Sequence, residues 1–116
     1  MQRTTPDYVD SLDPLLMPPV RLFATTMLAD LQWHHFATIA DTVRVDRATL
    51  SANLRRLRRA GYLEVHRDGG HTRWRLTSHG HDRLADHLDG LRDVMIRAGQ
   101  LARGTQQALR AQRSEL

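Results

Sequence analysis

The stretch that most constrains this chain is Asp46 to Gly61, DRATLSANLRRLRRAG. Leu50, Leu54 and Leu57 recur at three- and four-residue spacing and form one narrow apolar stripe, as in a helix that buries a single edge. Asp46 stands where an N-cap side chain accepts the first free N–H groups, and Gly61 stands where a helix stops. With about 3.6 residues per turn, Ala48, Ala52, Arg55 and Arg59 point away from the stripe, with Ser51 and Arg56 on its flanks. The outward face is small at its N-terminal end and cationic towards its C-terminal end. A helix needing only solubility mixes acids among the bases as i,i+4 partners, but no acid lies between Asp46 and Glu64. Small residues let a backbone approach a groove floor, and guanidinium groups bind phosphates and guanine edges. The stretch reads as a helix that enters a DNA groove.

Its surroundings fit that reading. Ahead of it, Phe36, Ile39, Ala40 and Val43 are spaced three and four apart and predict a short helix over about His34 to Thr42, with Val43-Arg44-Val45 as a tight connection. A short helix, a tight turn and a second capped helix make a helix-turn-helix. Behind it the period changes to two: Tyr62 to Arg67 and Thr72 to Leu76 alternate about Asp68-Gly69-Gly70-His71, a glycine-rich hairpin tip. Leu63, Val65, Trp74 and Leu76 form the inward set, with Arg73 and Arg75 on the opposite face and Arg67 near the tip.

Two further segments frame this unit. Residues 1–6 read as a loose polar start, and Tyr8, Val9, Leu12, Leu15 and Leu16 form a small apolar cluster interrupted by Asp13-Pro14, where Asp caps a short turn with Pro at its first position. Pro18-Pro19 opens a helix over about Pro19 to Leu31, with Leu22, Phe23, Thr26, Met27, Asp30 and Leu31 on its buried side and Arg21 and Thr25 outside. Thr77 or Ser78 caps a last helix reaching to about Arg113. There Leu84, Leu88, Leu91, Met95, Ala98 and Ala102 step by four and three, an a/d seam rather than a wide globular stripe. Gly90, Gly99 and Gly104 each cost roughly 1 kcal/mol relative to alanine inside a helix, so the helix is expected to hold to about Ala102. The expected division is an N-terminal arm over 1–18 that joins a dimer contact, a DNA-binding unit over 19–77, and a C-terminal dimerisation helix and tail over 78–116.

Composition narrows the function classes. The chain has 116 residues and a 41% hydrophobic fraction, enough for one domain with a modest core. All 17 basic residues are arginine and the formal charge is +4, which favours an anionic partner, nucleic acid first. Without cysteine, disulfides, thiolate zinc sites and a cysteine nucleophile are excluded. Glutamate occurs only at positions 64 and 115, and no phosphate loop or nucleophile–base–orienter set is present, so an enzyme is not expected. No signal-peptide segment or long apolar span appears, and a cytoplasmic protein of bacterial type is the expectation.

The combination resembles the small winged-helix transcriptional regulators, relatives of the MarR and ArsR groups, and within them the compact kind with a single C-terminal dimerisation helix. The motifs that carry the resemblance are Leu12-Asp13-Pro14-Leu15-Leu16, Pro19-Val20-Arg21-Leu22, Leu50-Ser51, Leu54-Arg55-Arg56-Leu57, Ala60-Gly61-Tyr62-Leu63 and Trp74-Arg75-Leu76-Thr77, which together span residues 12 to about 91. It implies a mainly α fold with a small β-hairpin wing, and a homodimeric repressor that reads a palindromic site in double-stranded DNA. Two departures stand out. Relatives often carry a large basic or polar residue where this chain has Ala52, which shifts base readout to Thr49, Ser51, Asn53 and Arg55. After Thr77 relatives continue with Pro and small residues, where this chain has Ser78-His79-Gly80-His81.

The expected DNA contacts are therefore Arg47, Thr49, Ser51, Ala52, Asn53, Arg55, Arg56 and Arg59 on the helix, and Arg67, His71 and Arg73 on the wing. The expected dimer contacts are Tyr8, Leu12, Leu88, Leu91, Met95, Ala98 and Ala102. The bland alternative for the arginines is a solvated basic face, with Arg58 lying along the core edge. The seven histidines lack a His-x3-His pair with a nearby carboxylate; His34 and His35 are merely adjacent, and His79 and His81 diverge on a helix. They read as surface or partly buried imidazoles, not a metal site, and no cofactor is expected. Trp33, Tyr62 and Trp74 read as packing. Alternatives of the same fold are a sensor switched by a metal, or by a small-molecule effector bound between the core and the last helix, and a winged helix used for protein interaction or sequence-independent DNA binding.

Overall fold

The computed structural model describes residues 7–114; the expected loose start, residues 1–6, lies outside them. In chain order the elements are α1 (Asp7–Ser11), a 3-10 turn (Pro14–Leu16), α2 (Pro19–Met27), a second 3-10 turn (Leu28–Asp30), β1 (His34–His35), α3 (Phe36–Val43), α4 (Arg47–Arg59), β2 (Leu63–Asp68), β3 (His71–Leu76) and α5 (Ser78–Ser114).

Helix α4 forms as its residues dictate. The Asp46 carboxylate accepts the Thr49 N–H and hydroxyl, each at 2.8 Å. At the other end Gly61, at φ 82°, lets Tyr62 N–H donate to the Leu57 carbonyl (3.0 Å) and its own N–H to Arg58 (2.9 Å), the paired bonds of a Schellman stop. Leu50, Leu54 and Leu57 are fully buried. They pack with Leu16, Ala24, Leu28, Ile39, Leu63, Trp74, Leu76 and Leu84 in one core, edged by Leu22, Met27, Phe36 and Val43. Helix α3 ends at Arg44 in the left-handed region, and residues 44–46 turn the chain into α4.

The hairpin pairs Leu63 with Leu76, Val65 with Trp74 and Arg67 with Thr72 on one face. Gly69 and Gly70 both have positive φ, as a two-residue type I′ turn requires. The sheet has three strands rather than two, because β1 pairs with β3 through His34–Trp74 and His35–Arg73. The expected helix from His34 therefore starts at Phe36: the two histidines belong to the sheet, and a two-residue strand leaves no periodicity to read.

Helix α2 also departs from expectation. It stops at Met27, followed by the 3-10 turn and a left-handed Leu31. Thr25, expected outside, is fully buried, and Phe23, expected inside, is 56% exposed. The Thr25 hydroxyl donates to the Arg21 carbonyl (2.9 Å) or that of Leu22 (3.0 Å), which satisfies its polar group and lets it face the core. Leu31 is exposed as well.

Helix α5 runs unbroken to Ser114, past the limit set by its glycines. At helical rise it is about 55 Å long, in a molecule 73 × 36 × 22 Å in principal extent. Its inward stripe is Gly80, Leu84, His87 and Gly90. Gly90 lets α1 approach closely: a Cβ there would sit 3.1 Å from Ser11 Cβ and 3.3 Å from Leu12. Leu84 thus belongs to the domain core, while Leu88, Met95, Ile96, Leu101 and Leu109 are exposed, Met95 at 74%.

Candidate nucleic-acid interface

Helix α4 and the hairpin together build the surface. Arg47, Ala48, Thr49, Ala52, Arg55, Arg56 and Arg59 are exposed, and Ser51 is half-buried beside them. Between α4 and the β3 side of the hairpin lies a cleft of about 430 Å³, lined by Phe36, Arg47, Ser51, Arg55, Arg67 and Trp74 among others. The Arg47 guanidinium sits 5.2 Å over the Phe36 ring, which holds it at the cleft mouth. The Arg55 side chain turns back along its helix, its Nε donating to the Ser51 carbonyl at 3.3 Å. Among the described residues, none of Arg47, Arg55, Arg56, Arg58, Arg59 and Arg67 forms a salt bridge. Six guanidinium groups thus stand without a carboxylate to neutralise them, an anion-attracting surface.

The hairpin arginines divide between its two faces. Arg67 and Thr72 lie on the α4 side, as their register with Trp74 and Val65 requires. Arg73 and Arg75 leave on the other face and are already paired: Arg73 with Asp68 at 3.5 Å, and Arg75 with Glu64 at 2.6 Å while stacked 4.4 Å from the Trp33 ring. His71 is exposed at the hairpin tip, its ring edge-on to that of His35 at 6.4 Å. Asn53 faces α2 rather than open solvent; its Oδ1 accepts from Arg21 at 2.8 Å and its Nδ2 donates to the Thr49 carbonyl. Arg21, read from sequence as outside, is half-buried and also donates to the Leu15 carbonyl at 2.6 Å, tying the first 3-10 turn to α4.

The sequence reading missed a buried polar cluster behind this surface. Asp13 is 4% exposed, and its carboxylate accepts from Tyr62 Oη, from Arg83 Nε (3.3 Å) and from the Leu15 N–H (3.0 Å). Burial alone would raise the Asp13 pKa, but the hydrogen bonds from Tyr62 and Leu15 and the charge of Arg83 outweigh it and hold it below the ordinary value. Burial, with the Asp13 bond, pushes the Tyr62 phenol up. His87 is fully buried, and its Nδ1 accepts the Asp13 N–H at 2.9 Å. That bond places the ring proton on Nε2, which makes no hydrogen bond. Burial lowers the His87 pKa, opposed by the Asp13 carboxylate, and so favours the neutral ring that the acceptor role of Nδ1 requires. Asp13-Pro14 was legible as a turn cap; its partners 49 and 74 residues away were not.

Among the described residues no group of three or more His, Asp or Glu side chains is placed to hold a metal ion, and no helix is long and apolar enough to cross a membrane.

This arrangement of three core helices, a hairpin and a long C-terminal helix is that of a winged helix. Residues 20–95 match the family model for winged helix DNA-binding domains, and the chain belongs to that family. Solved structures with the same fold include a transcriptional regulator homologue from Pyrococcus horikoshii OT3 (21% identity, 79% of this chain and 96% of that one, TM-score 0.70). Another is the homodimeric winged helix-turn-helix DNA-binding domain of Mb0332 from Mycobacterium bovis (25% identity, 79% and 84%, TM-score 0.59). A third is BpsR of Bordetella bronchiseptica, whose DNA binding is regulated by 6-hydroxynicotinic acid (14% identity, 78% and 71%, TM-score 0.63). No curated protein matches the chain.

Proposed function

We propose that the chain is a homodimeric, sequence-specific transcriptional repressor that reads a palindromic site in double-stranded DNA. The observation that carries this is the α4 face, where Ala48, Ser51 and Ala52 give way to Arg55 and Arg59 with no acid among them, flanked by Arg67 of the hairpin. In this reading Thr49, Ser51, Ala52 and Arg55 meet base edges in the major groove, and Arg47, Arg56, Arg59 and Arg67 hold phosphates. Asn53 acts behind them, through Arg21. Arg73, on the far face, braces the hairpin through Asp68, and His71 approaches the backbone at the tip.

The dimer reading rests on α5. Beyond Gly90 no residue of the helix is buried, yet Leu88, Met95, Leu101 and Leu109 are exposed along it. A second copy covers Leu88, Leu91, Met95, Ala98 and Ala102, with Tyr8 of α1 and Leu12 just after it at its edge. Two-fold symmetry then sets two α4 helices about 34 Å apart, one DNA turn. Repression needs only occupancy of the operator.

Selection of bound fragments from a random duplex library, with sedimentation of the free protein, tests the proposal. The expected result is a palindromic motif with half-site centres about 10 base pairs apart and a dimer at micromolar concentration. A library that returns no common motif, or a monomer on a single half-site, overturns it.

A further inference from the structure

Tyr62 is the first residue after the Schellman stop of α4, and it is held at both ends. Its carbonyl accepts the Thr77 N–H at 2.9 Å and the Thr77 hydroxyl at 3.2 Å, just before α5 begins. Gly80, in the first turn of α5, lies so close that a Cβ there would stand 2.3 Å from the same oxygen. Its ring stacks edge-on to His79 at 5.3 Å. Its hydroxyl donates to the buried Asp13 carboxylate, and Arg83 of α5 reaches both groups at 3.3 Å. Asp13 in turn is fixed to α5 by its N–H bond to His87, one helical turn beyond Arg83. Three segments distant in sequence therefore meet at one side chain: the link after α1, the exit of α4, and the first turns of α5.

The geometry points to Asp13, Tyr62 and Arg83 as positioning residues for DNA recognition, a polar joint that fixes the angle between α4 and α5 and so sets the half-site spacing. The inference rests on the reading of the chain as a two-fold dimer on DNA. Helix α4 is about 20 Å long and is clamped at its C-terminal end, so it swings about the joint as a lever. A rotation of about 10° moves its N-terminal half by about 3 Å, close to one base-pair step of about 3.4 Å. Apolar packing of Leu50, Leu54 and Leu57 and the Asn53–Arg21 bond resist separation of α4 from the core but leave its angle to α5 less tightly set. Directional hydrogen bonds to a buried carboxylate do not.

The test uses Tyr62→Phe, which removes one hydroxyl, and Asp13→Asn, which keeps the shape and removes the charge, both assayed well below their measured melting temperatures. Affinity is compared for the selected palindrome, for versions with the centre one base pair longer or shorter, and for a single half-site. Wild type is expected to discriminate against altered spacing by at least about tenfold, a difference of about 1.4 kcal/mol, and both variants to within about threefold. Half-site affinity is expected to stay the same. A purely structural role would instead lower melting temperature and weaken every DNA in parallel. The chain has no native cysteine, so nitroxide labels at Ala48→Cys and Arg92→Cys, diluted with unlabelled chain, report the α4–α5 distance without DNA. That distribution is expected to be narrow in wild type and broad in Tyr62→Phe. An unchanged distribution, or unchanged spacing discrimination where wild type has it, overturns the joint. A wild type indifferent to spacing defeats the dimer-on-DNA reading instead, and the label distance still decides the joint.

Discussion

His87 shows how much one residue's burial changes its chemistry. As a neutral acceptor it completes the Asp13 N–H bond; protonated, it loses that acceptor and places a second cation beside Arg83. Its folded pKa is depressed, so its contribution to stability is fully present above about pH 6.5, the unfolded value, and is lost as pH falls through the folded one. Asp13 is depressed too, and its contribution persists down to about pH 3.9 before it is lost on further acidification. The urea midpoint is therefore expected to fall in two separate stages on acidification. His87→Gln, which keeps an acceptor without a titrating ring, is expected to remove the upper stage only; a wild-type midpoint flat between pH 7 and about 5 contradicts this. The proposed DNA face is expected to divide in the same residue-by-residue way. Arg55→Ala or Ser51→Ala is expected to weaken the selected site by about 1–3 kcal/mol more than random duplex. Arg67→Ala is expected to weaken both alike and to flatten the salt slope by about 1 per subunit. Equal losses on both DNAs from all three changes would remove the division between readout and positioning.

Elements were legible where a pattern repeats. The leucines of α4, its aspartate cap and glycine stop, and the alternation of β2 and β3 about two glycines are each set by local physics, and each formed where the sequence placed it. What was illegible depended on partners. β1 exists only because β3 offers His34 and His35 an open edge. Thr25 turned inward and Phe23 outward because a hydroxyl bonded to its own helix is cheap to bury, which hydropathy alone does not register. Which α4 residues are exposed could be drawn from sequence, but the inward bond of Asn53 and the pairing of Arg73 with Asp68 needed neighbours. The glycines of α5 carry the same lesson, because identical residues serve opposite ends. Gly80 faces a carbonyl and the Leu76 methyl at contact distance, whereas nothing lies within 4 Å of a Cβ at Gly104. Gly80→Ala is expected to destabilise by roughly 1–3 kcal/mol through overpacking. Gly104→Ala is expected to stabilise by up to about 1 kcal/mol through helix propensity. Chemical denaturation of the two variants reads both, and the same sign for the pair would contradict the packing at Gly80.

For the whole molecule, the exposed half of α5 is the surface proposed to join two copies. Met95 is 74% exposed and Ala98 is exposed, so Met95→Glu or Ala98→Glu is expected to leave the fold intact and shift the protein towards monomer in sedimentation. Palindrome affinity is expected to drop sharply while half-site affinity holds; an unchanged dimer in both variants would place the contact elsewhere. The contact between α1 and α5 at Gly90 has a further consequence, in the order of synthesis. Helix α4 is complete at Gly61, but the segment that anchors its exit ends about thirty residues later. At about 5–20 residues per second, a nascent chain carries its arginine face for some seconds before Arg83 and His87 have left the ribosome to lock it. Over that interval the chain has the charge to adhere to any nucleic acid, including the ribosome's own, and lacks the paired α4 helices through which the proposed dimer would tell one sequence from another. Selectivity is thus expected to come only with α5, and a truncated, released chain ending near residue 75 is expected to bind DNA weakly and without preference.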